Sequence, residues 1–223
     1  MRPTLVCDLD GTLVDTVPDL AASLNRLMAR RGLAAFSRPE TAAMVGDGVA
    51  ALIARAFAAR NAAPDAAAEA EYVAEYGAHL HGESRLYPGV ADGLAALAGA
   101  GWRLAVCTNK PVAPARALLS ALGIAGRFAA VGGGDSFPTR KPDPAHLRAT
   151  LAAAGGDPGA AVMLGDHAND LAAARGAGVP AIFAAWGYGA VADAPVVARD
   201  FAEVPGLAAG LLGAGLHPSA PRP

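Results

Sequence analysis

The sequence has few lysines, few cysteines, few aromatic residues and no marked excess of charge of either sign. Its 223 residues carry 18 Lys and Arg against 20 Asp and Glu, a formal net charge of −2. Such a chain lacks the basic footprint that binds nucleic acids and anionic membranes, so we expect neither as a partner. The two cysteines, Cys7 and Cys107, cannot form a disulfide framework, and the apolar runs around them predict buried, reduced thiols.

Long apolar runs are also missing. The uncharged stretch from Gly176 to Ala192 contains Pro180 and several glycines, and it falls short of a membrane-spanning helix. The N-terminal segment places Asp8 and Asp10 directly after a short apolar run, without the basic start and longer apolar region of a secretory signal. We therefore expect a cytoplasmic protein.

Lysine is scarce even though arginine is not. The chain holds sixteen arginines but only two lysines, Lys110 and Lys141. A position that keeps lysine in such a chain is expected to need a compact ammonium group rather than a planar guanidinium. For Lys110, contact with solvent and contact with a substrate are both open.

The chain begins with a predicted strand and then turns helical. Residues 4–8 form a short apolar run that ends in an acid, which is typical of a buried parallel strand. Between Asp15 and Leu86 no strand pattern occurs. Helical spacing and helix-start residues there predict helices over residues 18–31, 39–45, 49–60 and 64–81.

Strands and helices alternate after this helical block. We predict strands over residues 103–107, 128–132, 161–164 and 180–184, and helices over 90–98, 113–122, 144–154 and 170–177. This alternation predicts an α/β fold, a doubly wound parallel sheet with an inserted all-helical cap domain. We expect the core domain over residues 1–15 and 85–213, the cap over 16–84 and a disordered tail over 214–223.

Polar residues follow the predicted strands at the points where the strands end. Ligands of open α/β sheets bind beyond the carboxyl ends of the strands, so these side chains are expected at one edge of the sheet. The set consists of Asp8, Asp10, Gly11, Thr12, Thr108, Asn109, Lys110, Lys141, Asp166 and Asp170.

The four acids of this set predict a metal and a phosphorylated substrate. Carboxylates gathered without a cation would repel each other and raise each other's pKa. Oxygen ligands suit Mg²⁺, which prefers a few carboxylates together with a phosphate. One carboxylate can act as a nucleophile that forms an aspartyl-phosphate, and a second can act as general acid and base.

The same residues resemble, in order, the four motifs of the haloacid-dehalogenase superfamily. The motifs are DLDGT at Asp8, Thr108, Lys141 and GDHAND at Asp166, and the helical block lies where many members carry a cap. The resemblance implies that Asp8 is the nucleophile and that Thr108 and Lys141 hold the phosphoryl group. It also implies Asp10 as the general acid and base.

The resemblance further implies a magnesium site. Mg²⁺ would be bound by Asp8, the backbone carbonyl of Asp10 and Asp166, with Asp170 in support directly or through water. His167 is a departure, because relatives usually carry a small polar residue such as serine after this aspartate, and it leaves the local hydrogen bonding undetermined.

Further stretches are similar to the bacterial phosphoglycolate phosphatase subgroup: DGTLVDT, VGDGV, LYPGV, TNKP and KPDP. This likeness implies a small phosphorylated substrate, 2-phosphoglycolate first. The expected substrate-binding residues are Gly11, Thr12, Thr108, Asn109 and Lys141, with Gly46 and Asp47 from the cap, although a plain turn is an equal interpretation of the last two.

Several alternatives stay open at this point. A phosphomutase of the β-phosphoglucomutase type would use the same motifs, and a phosphatase could act on a sugar phosphate, a nucleotide or pyrophosphate. A carboxylate-bearing substrate would suit one of six cap arginines: Arg26, Arg30, Arg31, Arg38, Arg55 and Arg60. The protein is expected to be a monomer or a homodimer. His79, His81, His146 and His217 show no ligand spacing and are expected at the surface.

Overall fold

A computed structural model describes residues 1–79 and 82–213 of the chain. The elements follow in this order: β1 (Thr4–Cys7), β2 (Val14–Asp15), α1 (Val17–Arg30), α2 (Arg38–Ala42), α3 (Val49–Ala58), α4 (Ala68–Ala78), β3 (Arg85–Leu86), α5 (Val90–Gly99), β4 (Arg103–Cys107), α6 (Val112–Ala121), β5 (Ala130–Gly132), α7 (Pro144–Ala153), β6 (Ala161–Gly165), α8 (Ala168–Ala177), β7 (Ala181–Ala184), β8 (Val197–Ala198) and α9 (Val204–Leu211).

Six parallel strands form the main sheet of the described residues, in the order β5-β4-β1-β6-β7-β8. All four residues of β1 are buried, because this strand has a neighbour on each side and helices on both faces. Leucines of α5 and α6 pack on one face, and Leu147 and Leu151 of α7 pack on the other. The arrangement confirms the predicted doubly wound α/β fold.

Helices α1 to α4 form the inserted cap, which has an apolar core of its own. Leu24, Leu27, Ile53, Phe57 and Tyr72 pack together there, separately from the two faces of the sheet. Local sequence sets the helix starts. Pro18 lies in the first turn of α1, and Ser37 forms a capping box with Glu40 at α2.

The two chain crossings between core and cap lie side by side. Strand β2 pairs with β3 in an antiparallel ladder, in which Val14 faces Leu86 and Asp15 faces Arg85. Asp19 accepts hydrogen bonds from the backbone N–H groups of Glu83 and Ser84 at 2.9 Å. The domain boundaries inferred from the sequence stay a prediction, and the tail expected over 214–223 lies outside the described residues.

Most predicted elements are observed, with shifted ends. The predicted helix over 64–81 begins only at Ala68, because Asp65 first accepts the N–H of Ala67 in a turn. Strands β2, β3 and β8 and helix α9 were not predicted, and β3 covers Arg85 and Leu86 at the end of the stretch that showed no strand pattern. Cys7 and Cys107 are free and buried, as expected. In the described part of the chain, no helix has the length and apolar character needed to cross a membrane.

Candidate active site

Three neighbouring strands deliver polar side chains to one edge of the main sheet. Asp8 follows β1, Thr108 follows β4 and Asp166 follows β6, and these three strands are adjacent. All three side chains are buried. The predicted convergence at the carboxyl ends of the strands is therefore observed.

Lys141 joins two of the acids by ion pairs. Its Nζ lies 2.8 Å from Oδ1 of Asp8 and 2.6 Å from Oδ1 of Asp170, and the lysine is only 2% exposed. Burial alone would lower the pKa of this ammonium group, but the charges of Asp170 and Asp8 outweigh it and raise the pKa. Lys141 is thus held charged between the two carboxylates.

The acids gather closely enough to hold a metal ion. Four residues each place one possible ligand atom within 4.8 Å of the others: Asp8, Asp166, His167 and Asp170. Burial raises the pKa of Asp8 to about 7, Lys141 opposes this shift, and the charges of Asp170 and Asp166 add to it. Burial also raises the pKa of Asp170. A divalent cation would relieve this repulsion, so the oxygen donors of Asp8, Asp166 and Asp170 fit Mg²⁺.

Asp166 is oriented by groups from two distant segments of the chain. Its carboxylate accepts hydrogen bonds from Oγ1 of Thr12 and from the backbone N–H of Tyr188, both at 2.8 Å. Burial alone would raise the pKa of Asp166. The neighbouring His167 and these two hydrogen bonds outweigh burial, so the pKa lies below its ordinary value. Thr12, expected to touch substrate, is fully buried and donates to Asp166.

The loop after β7 was missed by sequence reasoning. A Cβ on Gly187 or Gly189 would lie within 2.2 Å of an atom of Asp166, and the Tyr188 hydroxyl donates to Asp15 at 2.8 Å. Gly11, with φ of +83°, approaches the carboxylate of Asp166 in the same way. The glycines alternating in the WGYG stretch after a predicted strand were the available signal.

His167 forms an ion pair within the cluster. Its Nδ1 lies 3.0 Å from Oδ2 of Asp166. Burial alone would lower the pKa of His167, but Asp166 overcomes this effect and raises it to about 9. This ion pair therefore favours the charged form of the imidazole.

Asp10 and Lys110 form a second, separate ion pair. Nζ of Lys110 lies 3.1 Å and 3.3 Å from the two carboxylate oxygens of Asp10, and 4.2 Å from the ring centroid of Tyr76. Lys110 is 7% exposed, which excludes the interpretation as a solvated surface charge. The side chain of Asp10 is outside the group of possible metal ligands, so only its backbone carbonyl stays a predicted ligand.

His146 is buried, so its expected place at the surface was wrong. Its Nδ1 accepts the backbone N–H of Lys141 at 3.2 Å, and its Nε2 therefore donates to the carbonyl of Gly133 at 3.1 Å. Burial first, and then the charge of Lys141, lower its pKa to about 4. A neutral imidazole thus fixes the loop that carries Lys141. Exposed His79 agrees with expectation, and His81 and His217 lie outside the described residues.

A cap loop closes over the edge of the sheet. The carbonyl of Gly46 accepts Nδ2 of Asn109 at 3.1 Å and Nδ2 of Asn169 at 2.9 Å. Asn169 also donates to Asp47 at 3.1 Å, and Asn109 donates to the carbonyl of Lys141 at 2.9 Å. Gly46 and Asp47 are thus more than a turn within the cap, because they contact the core beside the expected active site.

A family profile described as haloacid dehalogenase-like hydrolase matches residues 3–178. The chain belongs to this family. It is 44% identical over 201 residues to the phosphoglycolate phosphatase of Agrobacterium fabrum, covering 88% of this chain and 85% of the relative. It is 42% identical over 217 residues to the phosphoglycolate phosphatase of Rhodospirillum rubrum, covering 92% and 90%.

Solved structures of the family superpose on this hydrolase. A predicted phosphoglycolate phosphatase from Haemophilus somnus 129PT matches with a TM-score of 0.86 and 31% identity, covering 92% of this chain and 97% of its own. CbbY from Rhodobacter sphaeroides, solved in complex with phosphate, matches with a TM-score of 0.78 and 30% identity, covering 92% and 96%. A variant of CbbY was solved in complex with xylulose-1,5-bisphosphate, with the same TM-score of 0.78 and 30% identity, covering 91% and 96%.

The six cap arginines of the hydrolase all have protein partners. Arg26 and Arg30 pair with Glu75, and Arg31 pairs with Asp65 and Glu71; the remaining pairs are Arg38–Glu83, Arg55–Asp47 and Arg60–Glu40. Lining residues of the cavity beside Asp8 and Asp10 include none of these arginines. The sequence suggested that one of these arginines would contact the substrate, but none of them lines this cavity.

Proposed function

We propose that this hydrolase is a Mg²⁺-dependent phosphatase that cleaves 2-phosphoglycolate through an aspartyl-phosphate on Asp8. The observation that carries the proposal is the convergence of Asp8, Asp166, Asp170 and Lys141 next to a small cavity under the cap. Relatives named phosphoglycolate phosphatase, 42–44% identical over most of the chain, support the choice of substrate.

In the first step, a carboxylate oxygen of Asp8 attacks phosphorus. The bond from phosphorus to the substrate oxygen breaks, and Asp10, in its protonated form, gives its proton to the departing glycolate oxygen. Asp10 suits this role because it lines the cavity and Lys110 holds its carboxylate there. In the second step, Asp10 takes a proton from water, which attacks phosphorus, releases inorganic phosphate and restores Asp8.

The phosphoryl group would be held by Thr108, Asn109 and Lys141. Lys141 already lies 2.8 Å from the nucleophile, so its ammonium group would lie beside a phosphoryl group on Asp8. Bound Mg²⁺ would supply neutralisation of the phosphoryl charge and of the carboxylates of Asp8, Asp166 and Asp170. Gly11 and Thr12 would not contact the substrate directly but would position Asp166 through their contacts with its carboxylate.

The size of the cavity favours a small leaving group. Its volume is about 50 Å³, and its walls are mostly apolar side chains of the cap and the loop after β4. Gly46 and Asp47 would close this space over the substrate. We propose a small phosphorylated metabolite in the cytoplasm as partner, rather than a nucleic acid or a membrane.

A sugar bisphosphate is the second candidate substrate. CbbY, 30% identical to this chain, was solved with xylulose-1,5-bisphosphate. A phosphomutase would pass through the same aspartyl-phosphate but would return the phosphoryl group to a sugar. Product analysis separates the two reactions, because only the hydrolase releases inorganic phosphate.

The test is a substrate panel on the parent and on two variants. Phosphate release is measured with 2-phosphoglycolate, xylulose-1,5-bisphosphate, a nucleotide, pyrophosphate and an aryl phosphate, with and without Mg²⁺. Asp8→Asn is expected to lose all turnover because the amide is not a nucleophile. Asp92→Asn, on an exposed residue of α5, serves as the matched control. Turnover by Asp8→Asn near the parent's rate refutes the mechanism, and a preference for another panel member refutes the substrate.

A further inference from the structure

Two tyrosines of the cap are buried next to each other. Tyr72 and Tyr76 lie four residues apart on α4, so they share one face of the helix. Their rings are stacked, with centroids 6.3 Å apart and an interplanar angle of 11°. The two residues are 1% and 3% exposed.

Neither tyrosine hydroxyl has a hydrogen-bond partner among the described residues. A buried phenol normally finds one, because an unpaired donor in a low-dielectric interior is costly. Two such hydroxyls on one helix face therefore need an explanation. Packing alone would be served by phenylalanine at both positions.

Both tyrosines line the cavity that also contacts Asp8, Asp10 and Thr108. The other cap residues of this lining are glycines and apolar side chains: Leu20, Val45, Gly46, Gly48, Val49, Leu52 and Val73. Tyr72 and Tyr76 are thus the polar side chains that the cap brings to this space.

The charged groups beside the hydroxyls are the ammonium of Lys110 and the carboxylate of Asp10, which pair with each other. Nζ of Lys110 lies 4.2 Å from the ring centroid of Tyr76 and 3.1 Å from Oδ1 of Asp10. The cap arginines are committed to other ion pairs, so no guanidinium competes for the role. A carboxylate could accept both phenol hydrogens while it remains near a positive charge.

We propose that the hydroxyls of Tyr72 and Tyr76 bind the carboxylate of the substrate and thereby select 2-phosphoglycolate over uncharged phosphate esters. The inference rests on the proposed phosphatase function and adds the specificity-determining residues. The core and the cap both contribute to the lining of this cavity, with Asp8 and Thr108 from the core for the phosphoryl group and Tyr72 and Tyr76 from α4 for the carboxylate.

The experiment compares Tyr72→Phe and Tyr76→Phe with the parent on two substrates of similar size. In 2-phosphoglycolate the distal group is a carboxylate, and in ethyl phosphate it is a methyl group. A hydrogen bond to a charged group is worth enough to change kcat/KM by about 10- to 100-fold. Each variant is expected to lose that factor on 2-phosphoglycolate, mainly through KM, and to keep the parent's kcat/KM on ethyl phosphate.

A product-inhibition measurement gives a second readout. Glycolate should inhibit both variants more weakly than the parent, while inhibition by inorganic phosphate stays unchanged. Ser120→Ala is the control, since it also removes a hydroxyl, but from an exposed residue of α6 away from this cavity, and it should leave both substrates unaffected.

Two outcomes overturn the assignment. Equal losses on both substrates would mean that the hydroxyls act through Asp10 and Lys110, and unchanged kinetics on 2-phosphoglycolate would mean that they do not touch it. Failure of the proposed function looks different, because the parent itself would then hydrolyse neither 2-phosphoglycolate nor an aryl phosphate.

Discussion

Two lysines form ion pairs with three of the four acids of the site. Lys141 bridges Asp8 and Asp170, whereas Lys110 holds Asp10. Both ammonium groups are buried, where a compact donor can contact two oxygens within 3.3 Å. The scarcity of lysine in an arginine-rich chain therefore coincides with positions where a guanidinium would be too large.

Replacement of Lys141 by arginine tests this point. Lys141→Arg keeps the charge but adds volume to a residue that is 2% exposed, so it should displace Asp8 or Asp170. We expect kcat/KM to fall by about 10²-fold, the usual cost of misplacing a reacting group by an ångström. Lys110→Arg is expected to be impaired as well, because that side chain is also enclosed.

Steady-state kinetics of the two lysine variants provide the measurement. The reverse exchange Arg148→Lys, on the exposed side of α7, is the control and should retain activity. Full activity in Lys141→Arg would contradict the steric argument.

The buried His146 should make stability depend on pH. Its folded-state pKa of about 4 lies below the ordinary 6.5, so the unfolded chain binds a proton first as the pH falls. The stability from this residue is complete above pH 6.5 and is lost as the pH drops toward about 4. By linkage the loss reaches up to about 3 kcal/mol.

Urea unfolding of the parent and of His146→Gln at several pH values isolates this contribution. The variant should be less stable at pH 7, and its free energy of unfolding should fall less steeply on acidification. His79→Gln, on an exposed histidine, should follow the parent's curve. Parallel curves for the parent and His146→Gln would contradict the prediction.

At the scale of elements, the cap loop contacts the core through Gly46 and Asp47, and Gly46 leaves the least room for a side chain. A Cβ on Gly46 would lie 2.6 Å from two atoms of the His167 ring, and the φ of +120° disfavours any other residue. Gly46→Ala should therefore prevent the loop from docking and lower kcat/KM by about 10²-fold.

Gly77→Ala is the matched control within the same cap. Gly77 lies inside α4 with nothing within 4 Å of a Cβ, so alanine should stabilise the helix by roughly 0.5–1 kcal/mol and leave the kinetics unchanged. Kinetics of both variants and their melting temperatures are compared. If Gly46→Ala had the parent's kcat/KM, docking of the loop would not matter for turnover.

The strands and the acids after them were predictable because both signals are local. A short apolar run such as 161–164 stands out by composition, and Asp166 follows it directly. Helix α9 escaped prediction because Pro205, Gly206 and Gly210 break its pattern. Strand β8 has only two residues, too few for a period to be recognised.

Contacts between distant segments could not be predicted. Asn169 meets Gly46 across 123 positions, and nothing in either stretch indicates the partner. His146 is a polar residue that is buried. Its burial depends on hydrogen bonds with the backbone groups of Lys141 and Gly133, which only the folded loop brings together. The predicted role of each site residue awaits the kinetic tests.

At the scale of the whole molecule, metal binding should be visible as thermal stability. Mg²⁺ that binds only the folded chain at 100 times its Kd adds about 2.7 kcal/mol. For a chain of this size that raises Tm by about 5–10 °C. Differential scanning fluorimetry of the chelator-treated protein, with and without Mg²⁺, measures the shift, and no substrate is needed.

Asp166→Asn should abolish most of this shift, because it removes a charged oxygen from the proposed ligand set. Asp92→Asn should retain it. A Tm that does not respond to Mg²⁺ in the parent would argue against a magnesium site.

The ladder between β2 and β3 makes the cap exchangeable. The chain leaves and re-enters the core at paired positions, with Val14 opposite Leu86 and Asp15 opposite Arg85. The core is therefore connected to the whole insertion in the same way as two antiparallel strands are connected by a hairpin loop. The length and content of what lies beyond the ladder place no demand on the register of the main sheet. One core could therefore carry caps of different shape on the same pair of short strands, and its reaction could be redirected to new substrates by substitution of that one segment.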